Sequence, residues 1–213
     1  MIEIKNLSVN FGNKTVYKNF NISFEENTIT AILGKSGAGK TTLFNVLCGT
    51  IDYTGELINN YPEKSMVYSK PRLIPTMTVE ENLKFILKDN NFDDTLKDLG
   101  LFDSKKLYPD ELSSGMAQRV SLIRAFLYPC KILLIDEPFV NLDISLKYKL
   151  MNMFTSLWQK NKPTTLFISH DLSDAMYLSD RIVIIENSKI LLDVINDKSK
   201  ETENKILNAL LSD

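Results

Sequence analysis

Residues Gly34-Lys35-Ser36-Gly37-Ala38-Gly39-Lys40-Thr41-Thr42 restrict this chain to few folds. The apolar run Ile29 to Leu33 before them reads as a buried strand, and Leu43 to Leu47 after them reads as a helix closed by Gly49. A strand that enters a helix through so glycine-rich a turn uses backbone conformations closed to other residues. Successive N–H groups then point inward at the positive end of the helix and form a cradle for phosphate oxygens. Lys40 brings a point charge toward β- and γ-phosphates, and the Thr41 hydroxyl offers a ligand to Mg²⁺. The alternative is a Gly/Ser-rich turn that binds nothing, which the strand-helix setting disfavours.

The 213 residues suit one domain, 1–213, with room for a subdomain. A net charge of −2 gives no electrostatic preference for nucleic acid, so none is expected as a partner. No apolar run approaches bilayer length, and Met1-Ile2-Glu3-Ile4-Lys5 lacks the layout of a signal peptide, so a cytosolic chain is expected. Cys48 and Cys130 stand in apolar contexts without metal-ligand spacing, which predicts two buried thiols rather than a disulfide or zinc site.

Ile2, Ile4, Leu7, Val9 and Phe11 mostly alternate with polar residues, and Val16 to Phe24 extends beyond the Gly12-Asn13 turn, predicting a small antiparallel β layer. Phe11, at that turn, either lies over a purine base or rests one face on the core. Thr54 to Ile58 and Ser65 to Tyr68 read as short strands. Pro71 and Pro75 then break the chain. Leu83, Ile86 and Leu87, then Leu96 and Leu99, give two short helical segments joined by the polar stretch from Lys88 to Asp94, a helical insertion at about 70–130. Met116, Val120, Ile123 and Leu127 recur at helical steps up to Pro129. Ile132 to Ile135 reads as a parallel strand covered on both faces, followed by a helix from about Ile144 to Gln159 with Leu150, Phe154 and Leu157 on one face. Thr165 to Ile168, Arg181 to Ile185 and Ile190 to Val194 complete the sheet, with Asn187-Ser188 as a hairpin turn, and a short helix follows Lys200.

In an open parallel sheet, ligands bind beyond the C-terminal strand edges. Three such edges carry chemistry: the glycine loop after Leu33, Asp136-Glu137 after Ile135, and His170 after Ser169. Asp136 is placed to hold Mg²⁺, because a hard cation on phosphates takes carboxylate and hydroxyl oxygen. Glu137, pointing elsewhere, is placed to orient a water in line with a γ-phosphate. A solvated acidic turn is the plainer reading, and it fits two carboxylates between four apolar residues and a proline badly. His170 is the only histidine; such a residue is commonly structural, but at a strand end it can donate to a phosphate or to the attacking water. Leu112 to Met116 opens a helix, so Ser113 and the amides near Gly115 form either a second anion site or an ordinary cap.

In order along the chain, these residues resemble the ATP-binding subunit of ABC transporters, and the resemblance covers nearly the whole sequence. Gly34 to Thr42 looks like the Walker A loop, Leu112 to Met116 the signature sequence, Ile132 to Asp136 Walker B with Glu137 as the following catalytic glutamate, Asn141-Leu142-Asp143 the D-loop, and His170 the switch histidine. Phe11 falls where the family places its adenine-stacking aromatic. The resemblance implies an α/β P-loop NTPase with a mainly parallel, RecA-like core and β layer over 1–69 and 131–213, and the helical subdomain at about 70–130. It implies ATP and Mg²⁺ as cofactors, with Lys40, Glu137 and His170 catalytic and Ser69 a metal ligand beside Thr41 and Asp136. It also implies two subunits, homodimeric or heterodimeric, that sandwich ATP between Walker A of one and Ser113 and Gly115 of the other. Transmembrane permease subunits and an extracytoplasmic solute-binding protein are the further implied partners, at the cytoplasmic face of the membrane, with Leu73, Ile74 and Met77 as contacts for a permease helix or as core.

Three positions depart from the family pattern. Ser69 stands where the family has glutamine, and Ser114 where the signature has its first glycine, with Met116 for the common glutamine. Ser-Ser-Gly-Met is similar to the Gly-Gly-Met form of the nitrate, sulfonate and taurine importer group. The rival expectation is an ABC-type ATPase in repair, translation or cluster assembly, or a nucleotide-dependent regulator; the long coiled coil, zinc motifs or second domain typical of the first kind are missing from the sequence.

Overall fold

The computed structural model describes residues 1–86, 92–140 and 142–211. In chain order its elements are β1 (Ile2–Phe11), β2 (Lys14–Phe24), β3 (Ile29–Leu33), α1 (Lys40–Cys48), β4 (Thr54–Ile58), β5 (Lys64–Val67), α2 (Val79–Lys84), α3 (Asp93–Asp98), α4 (Ser114–Leu127), β6 (Ile132–Asp136), α5 (Ile144–Asn161), β7 (Thr164–Ile168), α6 (Leu172–Leu178), β8 (Arg181–Glu186), β9 (Lys189–Ile195) and α7 (Lys200–Leu211). Contacts gather the chain into two units: Met1–Lys64 with Lys131–Asp136 and Lys162–Asp213, and Ser65–Cys130 with Glu137–Asn161.

In the first unit, β2, β1 and β4 form an antiparallel sheet in that order. The apolar positions of β1 change phase between Ile4 and Leu7, and the structure shows why. Ile4 pairs with Ile22 but Leu7 pairs with Phe20, a bulge at which Asn6 takes φ +53 and donates its N–H to Asn21 Oδ1 at 2.9 Å. The irregularity returns Leu7 and Val9 to the buried face that holds Ile2 and Ile4. The second sheet of this unit runs β6-β7-β3-β8-β9, parallel up to β8 and closed by the antiparallel β8–β9 hairpin with its turn at Asn187-Ser188. Every residue of β3, β6 and β7 is buried, as strands covered on both faces require. Gly49 ends α1 in the left-handed conformation, φ +66. Cys48 is half-buried rather than buried, and its desolvation raises the thiol pKa.

The second unit holds α2, α3, α4 and α5 and is larger than the insertion expected at about 70–130. It begins at Ser65 and takes in the helix after β6, because α5 turns Leu150, Met151, Phe154 and Trp158 inward and sets the Phe154 ring 4.9 Å from that of Phe126 on α4. Trp158 rather than Leu157 completes that stripe. Buried positions on α4 extend beyond the expected stripe to Gln118, Ser121, Leu122, Ala125 and Phe126, while Met116 and Leu127 are half-exposed. Leu87 and most of the polar joint from Lys88 onward lie outside the described residues. Cys130 is half-buried, with its thiol pushed up to about 11 by desolvation. Among the described residues no helix is long and apolar enough to cross a membrane.

One buried amide organises the loop that follows the prolines. Asn82 on α2 is 0% exposed; it accepts from Ile74 N–H at 2.8 Å, and its Nδ2 donates to the carbonyls of Ile74, Met77 and Thr78 at 3.1, 2.9 and 3.0 Å. A capping box between Thr78 and Glu81 fixes the start of the same helix. Asn82→Leu replaces the amide by an apolar group of similar size and strands several backbone groups. It should cost about 2–4 kcal/mol of unfolding free energy in urea, and a loss under about 0.5 kcal/mol would show that the loop keeps its shape without the amide.

Candidate phosphate-binding site

The register of the parallel strands places the chemistry of the first unit. Ile32 stands opposite Ile168, and Ile168 opposite Asp136, so Gly34, Ser169 and the Asp136 carboxylate emerge at one sheet edge. The loop between β3 and α1 is held from below. Gly34 is buried, and a Cβ built on it would lie 2.1 Å from the Ile185 carbonyl oxygen of β8. Backbone here passes so close to backbone that no side chain fits. Gly37 and Gly39 follow at φ +80 and +97, and the Ala38 N–H closes the turn onto the Lys35 carbonyl at 3.2 Å. Lys35, Ser36 and Gly37 form an exposed rim above buried Gly39 and Lys40. Lys35 also pairs with Glu186 at 3.3 Å.

Lys40 is 5% exposed, and its ammonium bonds the carbonyls of Gly34 and Lys35 at 2.7 and 3.0 Å. A positive charge thus lies against the loop it closes. No side chain caps the first turn of α1, whose cap is Gly39, and no acidic residue occupies that turn. The helix end is therefore shaped for an external anion. Thr41 donates its hydroxyl to Asp136 Oδ2 at 3.0 Å, bringing together two hard oxygen donors from elements ninety-five residues apart. No cluster of three or more His, Cys, Asp or Glu side chains shaped for a metal occurs among the described residues. A cation here would take only one or two protein oxygens and fill the rest of its shell with phosphate and water, which suits Mg²⁺. Thr42 continues α1, half-buried.

His170 is exposed between two fixed points. Ser169, 5% exposed, accepts the Asp171 N–H on its hydroxyl at 3.0 Å, and Asp171 caps α6 by accepting from Ser173 N–H at 2.8 Å. Phe11 ends β1, paired with Lys14 across the turn and 50% exposed, which leaves part of its surface open to a ligand. Tyr17, which the sequence placed only in an extended stretch, donates its hydroxyl to the Gly39 carbonyl at 3.0 Å. Nothing in the local alternation separates it from an ordinary core aromatic.

The remaining expected residues belong to the second unit. Glu137 follows Asp136 directly with φ +50, an unusual conformation for a non-glycine residue. Ser69 is exposed just past β5, beside a loop in which the Arg72 guanidinium lies 3.6 Å above the Tyr68 ring and Arg124 donates to the Arg72 carbonyl at 2.5 Å. Leu73, Ile74 and Met77 are half-buried. Ser113 caps α4, its hydroxyl accepting from Met116 N–H at 3.2 Å. Ser114 is the first helical residue and has no positive φ, so serine brings none of the backbone strain that a glycine-only position would impose. Gly115 has no atom within 4 Å of a Cβ placed on it. Asn141 of the expected Asn141-Leu142-Asp143 motif lies outside the described residues, and Asp143 accepts from Leu146 N–H at 3.0 Å at the start of α5.

Comparison with known proteins follows the same line. The family model of the ABC transporter matches residues 17–140. The aliphatic sulfonates import ATP-binding protein SsuB of Bacillus cereus (strain ZK / E33L) is 36% identical over 195 residues, 85% of this chain and 78% of that protein. The protein of the same name from Zymomonas mobilis is 34% identical over 203 residues, 90% of this chain and 85% of its own length. Among solved structures, an ATP-binding subunit of an ABC transporter superimposes with a TM-score of 0.82 at 22% identity, over 100% of this chain and 95% of that one. A dimeric bacterial ABC transporter cassette superimposes with a TM-score of 0.77 at 25% identity, over 92% of this chain and 98% of that one. The fold, the glycine loop at the sheet edge and the matched relatives agree: this chain belongs to the ABC transporter family, as an ATP-binding subunit that hydrolyses ATP to drive transport through a separate permease.

Proposed function

We propose that the chain is the ATPase of an importer for small sulfonates or similar oxyanions, peripheral to the cytoplasmic face of the membrane. Its permease partner would receive cargo from an extracytoplasmic solute-binding protein. The observation that carries the catalytic part of this reading is the Thr41–Asp136 bond at the mouth of the glycine loop. Thr41 and Asp136 would hold Mg²⁺, which when bound neutralises charge on the β- and γ-phosphates. Ser69 would be a further oxygen ligand, direct or through water. Lys40, already poised over the loop carbonyls, moves its charge onto the phosphates, while the amides from Gly34 to Thr42 bind their oxygens. Phe11, exposed at its turn, stacks on adenine.

Glu137 orients the attacking water and accepts its proton, and His170 donates a hydrogen bond to the γ-phosphate. Closing a second subunit completes the site. Gly115 supports this. It is the second residue of α4, where alanine is the more stable by up to about 1 kcal/mol, and no atom packed against it lies within 4 Å of where a Cβ would stand. A glycine without an internal reason fits close approach by something external, here the γ-phosphate held by the partner. Ser113 would leave its capping bond with Met116 or share it to join that contact. The sulfonate reading rests on the relatives' names and on Ser113-Ser114-Gly115-Met116.

Glu137→Gln should retain ATP binding, slow turnover by about a hundredfold or more and accumulate a dimer in ATP, as read by phosphate release and gel filtration. Hydrolysis at the wild-type rate would remove Glu137 from the role. Ser69 is too short to span the distance a glutamine covers between metal and permease. Ser69→Gln should therefore change the ratio of permease-stimulated to basal turnover by at least about threefold, a shift of about 0.65 kcal/mol or more in activation free energy. Equal ratios in reconstituted vesicles would show that coupling does not pass through this position.

A further inference from the structure

Beneath the loop, within the same unit, lies a phenol to which the roles above give no part. Tyr17 is 0% exposed, its ring tilted against Phe20 with centroids 4.7 Å apart. Ring packing alone would be served equally by phenylalanine, since a buried hydroxyl costs stability unless it is bonded. The hydroxyl donates to the Gly39 carbonyl at 3.0 Å, and burial raises the phenol pKa, so it remains a donor across the working range of pH. The same carbonyl accepts the Leu43 N–H at 2.9 Å, the first bond of α1. The three atoms nearest to a Cβ built on Gly39 are the Tyr17 Cε2, Cζ and hydroxyl oxygen, each at 3.0 Å. The strand behind the ring is itself fixed. Tyr17 pairs with Val9, two residues before Phe11, and the adjacent Val16 carbonyl accepts from Ser188 Oγ in the β8–β9 turn at 2.6 Å.

A peptide group is planar, so holding a carbonyl fixes the N–H on its other side. Two donors on the Gly39 carbonyl therefore aim the Lys40 N–H the opposite way, off the N-terminal end of α1. We propose that Tyr17 is a positioning residue for the phosphate loop, a buried strut that sets the Gly39–Lys40 peptide before nucleotide arrives and ties the loop to the strand pair bearing Phe11. Its contribution is preorganisation. It acts equally on ATP and ADP, because the peptide it orients faces phosphates that both share, and it touches no reacting atom. This rests on the nucleotide reading of the site.

Tyr17→Phe keeps the ring under Gly39 and removes only the hydroxyl. MgADP binding to the purified chain, measured by calorimetry, should weaken roughly three- to tenfold, the scale of one neutral hydrogen bond in a dry setting. MgATP, measured in a Glu137→Gln background, should weaken by the same factor, while turnover at saturating ATP stays within about twofold of wild type. In hydrogen exchange without nucleotide, amides from Gly37 to Thr41 should exchange faster while those of β1 and β2 keep wild-type protection. Unchanged MgADP affinity overturns the proposal, as does an affinity loss accompanied by faster exchange throughout β1 and β2, which is the mark of a residue that merely stabilises the fold. Failure of the wild-type chain to bind MgADP would instead sink the nucleotide reading, and the proposal with it.

Discussion

Parallel strands that stop in register present their last residues along one line, and the first unit is built on that constraint. Ile32, Ile168 and Asp136 are neighbours across β3, β7 and β6, so a loop leaving β3 meets a carboxylate that arrives from far along the chain. The Thr41–Asp136 bond is the outcome. β8 on the other side presses its Ile185 carbonyl against Gly34, which leaves the loop one route into α1. Burial of every residue in β3, β6 and β7 makes this placement stiff, because a strand packed on both faces has nowhere to slide.

The parts of this arrangement legible in the sequence are those with a local signature. Ile132 to Ile135 could be read as a covered strand because four apolar residues in a row have no exposed side, and the glycine loop because its spacing has few other uses. The strand-end rule then brought Asp136 and His170 to the same edge without any tertiary information. What stayed hidden was fixed by contacts distant in sequence. The inward face of α5 is rotated so that Trp158, not Leu157, is buried, because Phe126 and its neighbours on α4 decide which side is covered. Asn82 reads as a polar residue in a short helix, and only the fold shows that three carbonyls converge on its amide. The phase change in β1 was visible as broken alternation, but the bulge at Asn6 that repairs it was not.

Glycines separate what this chain needs for itself from what it needs for others. At Gly34 and Gly39 the requirement is internal: backbone at one, a tyrosine ring at the other, occupies the space of a side chain. At Gly115 the surroundings are open and the backbone helical, so the chain's own stability would be better served by alanine. No contact within the described chain requires glycine there. Ser114 beside it shows the converse, since ordinary helical backbone accepts serine where the family has glycine. The departure at Ser114 is therefore neutral for folding, and any consequence it has must lie in what meets the helix end.

One of the chain boundaries between the units falls at the peptide joining Asp136 and Glu137, the two carboxylates proposed above to serve metal and water. Asp136 ends a fully buried strand and keeps its bond with Thr41, while Glu137 turns the chain at φ +50 and belongs to the other unit with α4 and α5. A non-glycine residue in that conformation carries a cost on the order of 1–2 kcal/mol and persists where its surroundings enforce it. Buried Gln118 on α4 donates to the Pro138 carbonyl at 3.4 Å and is one such restraint. Asp136 is thus held by the sheet, while Pro138, one residue past Glu137, is tied to α4.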